Sequence, residues 1–210
     1  MPRVTPPTSG KAAVEPRWRR LGPDERRAAI LAAGIRLFAE QPYSTVQMTA
    51  VAQEAGVARA LVNHYFGTKR ELYLEVVRAV MFVPALDEVT LPEGSLRDRI
   101  EASVDWLMTI LSAHGRTWLT IGVEGAAGDP EVRAILDEAD HKAAERVLDA
   151  VGSAVPDDAR LITLAAIRAF GGMVKAAVRE WVDHEALTQD QVHRVLTATL
   201  IAIVESASPP

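Results

Sequence analysis

Three small or apolar residues at a fixed spacing mark the segment in which this chain can bind a partner. Ala52 stands where two short helices would approach each other, Gly56 where the turn between them needs a left-handed backbone, and Val62 where the second helix would be locked in place. Glycine adopts a positive φ at little steric cost. The combined spacing predicts a helix-turn-helix over residues 47–66, a motif whose second helix enters the major groove of DNA.

The motif separates an apolar inner face from a polar outer face. The inner face is supplied by four apolar residues: Met48, Val51, Val57 and Phe66. The second helix would present five side chains outward, where a major groove would lie: Arg59, Ala60, Leu61, Asn63 and His64. A helix that carries polar and basic side chains on its outer face is suited to hydrogen bonding with base edges and phosphates.

The charge of the chain is divided unevenly along its length. The net charge is −5, but residues 1–82 carry 12 Lys and Arg against 7 Asp and Glu, whereas the rest carries 11 against 21. A basic N-terminal part followed by an acidic part indicates that DNA is contacted by one end only. A chance asymmetry is the alternative.

The composition excludes several other kinds of site. The chain has 210 residues, of which 49% are hydrophobic, enough for a folded core. The absence of cysteine excludes disulfides, thiolate metal ligands and cysteine nucleophiles, and it suits a reducing cytoplasm. No apolar run approaches the roughly 18–20 residues of a membrane span, and residues 1–10 lack the apolar stretch of a signal peptide. We therefore expect a cytoplasmic protein without a membrane partner, associated with the nucleoid when bound to DNA.

The remaining pattern predicts an all-α fold of about nine helices. The alternation that is typical of strands is nearly absent. Residues 1–20 are rich in Pro, Thr and Ser and end in basic residues, which predicts a flexible basic tail. A helix that starts at Ser95 should end near Gly115 and be followed by a short helix over residues 116–126. Proline or capping residues mark the helix starts: Pro23, Thr68, Ser95, Asp129, Pro156 and Thr188.

Two stretches of the chain resemble the tetracycline-repressor (TetR) family of bacterial regulators. They are residues 51–57, V-A-Q-E-A-G-V, and residues 64–72, H-Y-F-G-T-K-R-E-L. The resemblance is specific over about residues 22–82. Beyond them it consists of the length, the helix count and short patches such as residues 180–183.

This resemblance implies two domains and a function. A helix-turn-helix DNA-binding domain would cover residues 21–83, and a helical ligand-binding and dimerisation domain would cover residues 84–210. The expected function is sequence-specific transcriptional regulation, in which a repressor is released from its operator by a small apolar or amphipathic ligand. The operator would be palindromic or near-palindromic double-stranded DNA. Activation of transcription is the alternative within this class.

The resemblance also implies which residues contact DNA. Arg59, Ala60 and Leu61 lie where family members touch base edges. Arg59 can bind guanine through two hydrogen bonds, and a phosphate contact is its equal alternative. Leu61 can meet a thymine methyl group or, alternatively, pack against a partner. Tyr65 and Lys69 lie where the family contacts phosphates. Four further residues complete the predicted DNA contacts: Gln47, Thr49, Asn63 and His64.

Three residues depart from the family pattern. Ala58 replaces the usual Ser or Thr that caps the recognition helix, which weakens the cap by about 1 kcal/mol. Asn63 replaces a usual Tyr and can pair with an adenine edge, so it is a candidate specificity residue. Pro42 stands where Gly is common. An operator sequence therefore cannot be taken over from the family.

The acidic half carries the features expected of dimerisation and ligand binding. The last two predicted helices, about residues 156–184 and 188–206, have apolar faces broader than one core needs. By resemblance they would pair with the same helices of a second subunit in a four-helix bundle. The alternative is that these faces are internal core.

A ligand site is predicted on the middle helices. Large apolar residues with a few polar anchors suit an apolar cavity, although such residues more often fill a core. The candidates are Trp106, Ile110, His114, Trp118, Glu124, Phe170 and Met173.

A helical enzyme or an interaction module without a DNA-binding role is the remaining alternative. The sequence has no Gly-x-Ser-x-Gly, no pair of Glu-x-x-His motifs and no phosphate-binding glycine loop. Its five histidines are scattered without ligand spacing. The acidic cluster at residues 137–141 has the pattern of a solvated helix face rather than of a metal site. We therefore expect no catalytic residues, no metal and no cofactor.

Overall fold

The chain folds into eight α-helices in the part that the structure describes. A computed structural model describes residues 22–81, 94–121, 128–151 and 155–206, and these segments contain no strand. The helices are α1 (Pro23–Glu40), α2 (Met48–Glu54), α3 (Arg59–Phe66), α4 (Lys69–Met81), α5 (Leu96–Leu119), α6 (Pro130–Val151), α7 (Arg160–Val182) and α8 (Gln189–Ser206). The all-α prediction is confirmed. The predicted basic tail and the predicted domain boundary at residues 83–84 lie outside the described residues.

The predicted capping residues form the helix starts. In α4 the backbone N–H of Thr68 donates to the Glu71 carboxylate over 2.7 Å, and the N–H of Glu71 donates to the Thr68 hydroxyl over 3.2 Å. Ser95 and Asp98 repeat this reciprocal pair at the start of α5. Each bonded N–H is one that has no partner inside its own helix. Two further predicted caps are formed: Asp129 of α6 and Thr188 of α8.

The predicted end of α5 near Gly115 is wrong. The helix runs unbroken from Leu96 to Leu119, so no separate short helix begins at residue 116, and residues 122–126 lie outside the described part. Gly115 is buried inside the helix, and a Cβ there would lie 3.4 Å from Cγ2 of Val182 in α7. The glycine therefore serves the close approach of α5 and α7 rather than a helix end. This joining of two predicted helices reduces the expected nine to eight.

The long helix α7 begins later and ends earlier than predicted. A 3-10 turn, Asp157–Ala159, occupies its expected first residues, and the α-helix covers Arg160–Val182. The backbone N–H of Asp183 still donates to the carbonyl of Arg179, and that of His184 donates to the same carbonyl. The second bond spans five residues, so the helix ends in a widened turn before α8.

Two apolar cores meet at one tryptophan. The first core joins α1 to α4 with the start of α6, and Ile30, Val62 and Leu72 are fully buried in it. The second core joins α5 to α8 and includes Ile100. Trp118 of α5 packs against both cores. It therefore lies at the junction between the helix-turn-helix part and the rest of the chain.

Helix α7 leaves an apolar face uncovered in the single chain. Leu161 and Ile162 are 82% and 76% exposed. Further along the helix the exposed positions are Arg168 and four small residues, Ala165, Ala169, Gly172 and Ala176. By length and composition alone, residues 157–182 are long and apolar enough to span a membrane, contrary to the expectation from the sequence. Of the most apolar 18-residue stretch within them, 33% is buried inside the chain.

Candidate DNA-binding surface and ligand cavity

The helix-turn-helix has the geometry that its sequence predicts. Val51 and Ala52 of α2 and Val62 and Phe66 of α3 are buried against the first core. Gly56 has φ +66°, the left-handed conformation that the turn requires. The carbonyl of Ala52 accepts the N–H of Val57 over 2.9 Å, which closes the turn. The inner face of the motif thus holds α3 at a fixed angle to α2.

The start of α3 lacks a side-chain cap. Ala58 is its N-cap residue, with an extended backbone and no side-chain hydrogen bond. The departure from the family pattern therefore has the predicted local consequence, because the first amides of α3 have no side-chain acceptor at this position. Free N–H groups at a helix start favour an anion such as a DNA phosphate.

The predicted DNA contacts differ in their exposure. Arg59, Ala60, Asn63 and His64 are exposed on the outer face of α3. Leu61 and Tyr65 are half-buried, so less of the Leu61 side chain is available than the sequence suggests. Gln47, at the N-cap position of α2, and Thr49 in the first turn of α2 are also exposed.

Lys69 is held in place by residues that the sequence analysis missed. Its Nζ donates to the backbone carbonyl of Ser44 over 3.2 Å and lies 4.5 Å from the centroid of the Tyr43 ring. Partial burial lowers the pKa of Lys69 from its ordinary value. Tyr43 in turn packs on Phe38 and Tyr73. Because Tyr43 and Lys69 are far apart in the sequence, spacing gives no signal of this support.

A charged cluster joins the helix-turn-helix part to α6. Nε and Nη2 of Arg70 donate to the two carboxylate oxygens of Asp129 over 3.0 and 3.1 Å, and Nη2 lies 2.8 Å from Glu131. The hydrogen bond to Arg70 holds the pKa of Asp129 below its usual range. Asp129 also accepts the N–H of Glu131 as the cap of α6. One carboxylate thus fixes both the start of α6 and its position beside α4.

The predicted ligand residues fall into separate places. Ile110, His114 and Trp118 line one cavity of about 470 Å³ between α1, α4 and α5, which we call the junction cavity. Phe170 and Met173 pack in the second core, and Trp106 is half-buried but does not line the junction cavity. Glu124 lies outside the described residues. The junction cavity thus does not include Phe170, Met173 or Trp106, and a ligand role for these three residues stays a prediction.

Sequence analysis missed the α1 and α4 walls of the junction cavity. Ala32, Ile35 and Arg36 line it from α1, and Ala79 and Val80 line it from α4. Residues from α1 approach α5 only in the folded chain, so helical periodicity gives no signal of the contact.

The acidic cluster on α6 is bound by neighbouring cations. Glu138 pairs with Lys142 over 2.6 Å, and Asp140 pairs with Lys175 of α7. His141 lies 3.4 Å from Glu145. In the described segments no group of three or more potential metal ligands is placed to hold an ion.

The fold and the exposed face of α3 define a helix-turn-helix transcriptional regulator. Residues 30–76 match the model of bacterial regulatory proteins of the tetR family. The resemblance to the TetR family seen in the sequence is confirmed by this match. Regulators of this family are soluble cytoplasmic proteins that bind operator DNA and form dimers. The chain is thus a DNA-binding transcriptional regulator and not an enzyme.

Similar proteins extend the match beyond the DNA-binding part. The chain is 28% identical over 184 residues to the transcriptional regulator BetI of Rhizobium meliloti, covering 82% of this chain and 90% of the relative. It is 24% identical over 171 residues to the transcriptional activator FasR of Mycolicibacterium smegmatis, covering 80% and 78%. A BetI from Agrobacterium fabrum is 41% identical over 56 residues, which are 27% of each chain.

Solved structures share the fold over most of the chain. A tetR-family regulator from Streptomyces coelicolor superposes with a TM-score of 0.72 at 21% identity, covering 90% of this chain and 85% of that one. FadR from Bacillus subtilis in complex with stearoyl-CoA superposes with a TM-score of 0.67 at 16% identity, covering 86% and 99%. The similarity to these solved structures therefore includes α5 to α8 as well as α1 to α4.

Proposed function

We propose that the chain is a dimeric repressor that reads a palindromic or near-palindromic operator with α3. A small apolar or amphipathic ligand releases it from the DNA. The DNA-binding domain covers residues 21–83, and the ligand-binding and dimerisation domain covers residues 84–210. In the cell the DNA-bound form is associated with the nucleoid.

The exposed outer face of α3 is the observation that carries this proposal. Arg59 and Asn63 extend from it as hydrogen-bonding side chains, while Val62 and Phe66 anchor the opposite face. We assign Arg59 to a guanine edge and Asn63 to an adenine edge. The remaining proposed DNA contacts lie on or beside this face: Gln47, Thr49, Ala60, Leu61, His64, Tyr65 and Lys69.

The dimer is proposed to form through α7 and α8. The uncovered face of α7 carries Leu161 and Ile162 and continues as Arg168 among small residues. The small residues allow the backbones of two helices to approach closely. Val195 of α8 is 42% exposed, and Ala198 and Ala202 extend its outer face. A four-helix bundle of two α7 and two α8 helices would bury these residues. The two α3 helices can then enter successive major grooves about 34 Å apart.

Release by a ligand is supported by the cavity at the junction of the two parts. The walls of the junction cavity come from α1 and α4, which flank the helix-turn-helix, and from α5 of the proposed ligand-binding domain. A ligand that favours one arrangement of these walls changes the spacing of the two α3 helices and hence the DNA affinity. Ile110, His114 and Trp118 remain the proposed ligand residues.

A promoter fusion tests the proposed repressor directly. A site enriched from random DNA is placed in a reporter promoter, and transcription is compared with and without the chain. We expect the chain to lower transcription, and we expect insertion of about five base pairs between the half-sites to abolish the effect, because half a turn rotates one half-site away. An increase in transcription would assign an activator. Repression that is indifferent to the insertion would contradict the two-fold dimer.

A further inference from the structure

We propose that the junction cavity binds an apolar carboxylic acid whose carboxylate is held by Arg36. This inference rests on the ligand-responsive function proposed above and names the chemical class of its ligand. The hydrocarbon part of the acid lies between α1 and α5, against Ile35, Ile110 and Trp118. The carboxylate lies at the Arg36 end of the cavity.

The walls of the cavity favour an apolar ligand body. Seven of the ten lining residues are apolar, and they come from all three helices; among them are Ile35 of α1, Val80 of α4 and Trp118 of α5. The cavity volume of about 470 Å³ lies within the roughly 300–1,000 Å³ of small-molecule sites. Removal of a hydrocarbon chain from water into such a space is favourable.

The charged residues that line the cavity indicate that the polar head group of the ligand is an anion. Arg36 is the cation of the lining, His114 contributes an imidazole and Thr117 a hydroxyl, and the described residues of the lining include no Asp or Glu. An apolar cavity with a guanidinium and no carboxylate favours an anion. A guanidinium also matches a carboxylate in geometry, since it can donate two parallel hydrogen bonds.

The present partner of Arg36 connects the cavity to the helix-turn-helix. Nε of Arg36 donates to Oε1 of Glu54 over 2.8 Å, and Glu54 is the last residue of α2, just before the turn at Gly56. The two side chains are 53% and 46% exposed, so water weakens their pairing. A ligand carboxylate can therefore compete with Glu54 for Arg36. Ligand binding is thereby coupled to the contact between α1 and α2.

Calorimetry with dodecanoate below its micellar concentration tests the proposal on the full-length chain. We expect dodecanoate to bind, and we expect Arg36→Gln to weaken it by about ten-fold or more, because a charge-assisted hydrogen bond is lost. Glu54→Gln should strengthen binding by a few-fold, because the competing carboxylate is removed. Arg97→Gln is the matched control, since Arg97 is an exposed arginine in an ion pair with Glu101 of the same helix. It should leave dodecanoate binding unchanged.

Three comparisons locate the site and identify its ligand class. Ala79→Phe fills the cavity from an exposed position of α4 and should abolish binding of dodecanoate. Dodecan-1-ol should bind more weakly than dodecanoate, and Arg36→Gln should remove that difference. Equal affinity for the acid and the alcohol, or binding that survives Ala79→Phe, would overturn the proposal. The proposal would also be overturned if dodecanoyl-CoA bound to the chain and free dodecanoate did not.

Operator binding in the absence of ligand distinguishes a wrong ligand assignment from a wrong DNA-binding function. Binding of the selected operator is measured without ligand for wild type, Arg36→Gln and Ala79→Phe. If these chains bind the operator but dodecanoate does not bind wild type, the assignment of the ligand is wrong and the DNA-binding function stands. If dodecanoate binds as proposed, it should lower the operator affinity of wild type and leave that of Ala79→Phe unchanged.

Discussion

Gly172→Glu is expected to make the chain monomeric and to lower its affinity for a two-half-site operator by about 1,000-fold. Gly172 is exposed in the single chain, and a Cβ at this position meets no atom within 4 Å. The substitution therefore leaves the fold of one chain intact. In the proposed dimer it places a carboxylate on the α7 face of each subunit, where the two charges are desolvated and repel each other. A monomer loses the gain in affinity that comes from linking two half-site contacts.

Sedimentation equilibrium and operator titration measure the two effects on the same sample. Ala143→Glu is the matched control, because Ala143 is an exposed residue of α6 and does not belong to the proposed α7 and α8 interface. This control should keep both the dimer and the operator affinity. A Gly172→Glu chain that remains dimeric with unchanged affinity would show that subunits do not pair through this part of α7.

Leu72→Ala is expected to destabilise the DNA-binding part by about 2–5 kcal/mol. Leu72 of α4 has no exposed surface and lies in the first core. It also borders the close approach of α1 and α4, where a Cβ on Gly34 would lie 3.5 Å from Cδ1 of Leu72 and 3.1 Å from Cγ2 of Val76. Removal of three carbon atoms leaves a cavity that the two closely packed helices cannot collapse to fill.

Urea unfolding followed by circular dichroism, at one fixed chain concentration, measures this loss. Leu61→Ala makes the same chemical change on half-buried Leu61 of α3 and should cost less than half as much. Equal free energies of unfolding for Leu72→Ala and wild type would mean that α1 and α4 do not pack as described here.

Local features of the fold were predictable from the sequence because neighbouring residues determine them. Thr68 and Glu71 form a cap over three residues, and Gly56 supplies the one left-handed residue that the turn requires. The same holds for the outer face of α3, where buried Val62 and Phe66 fix which side chains point away. These predictions use only the helical period and the chemistry of each residue.

Contacts between distant segments were not predictable in this way. Gly115 looks like a helix end in the sequence, yet it is a packing position against Val182 of α7. Arg36 pairs with Glu54 across 18 positions, and Arg70 pairs with Asp129 across 59. Such pairs depend on the angles between helices, which the sequence pattern does not determine. For the same reason large apolar residues alone could not distinguish the junction cavity from the second core.

Selection of bound DNA from a random pool, with wild type and Arg59→Ala in parallel, tests most directly that α3 reads the operator. We expect wild type to enrich two related half-sites about one helical turn apart, and Arg59→Ala to lose preference at one position in each half-site, equivalent to about 1–3 kcal/mol. Lys69→Ala should keep the preference, weaken all sequences alike and flatten the salt dependence. The account is contradicted if the pool enriches no site, or if Arg59→Ala selects the same site with the same preference.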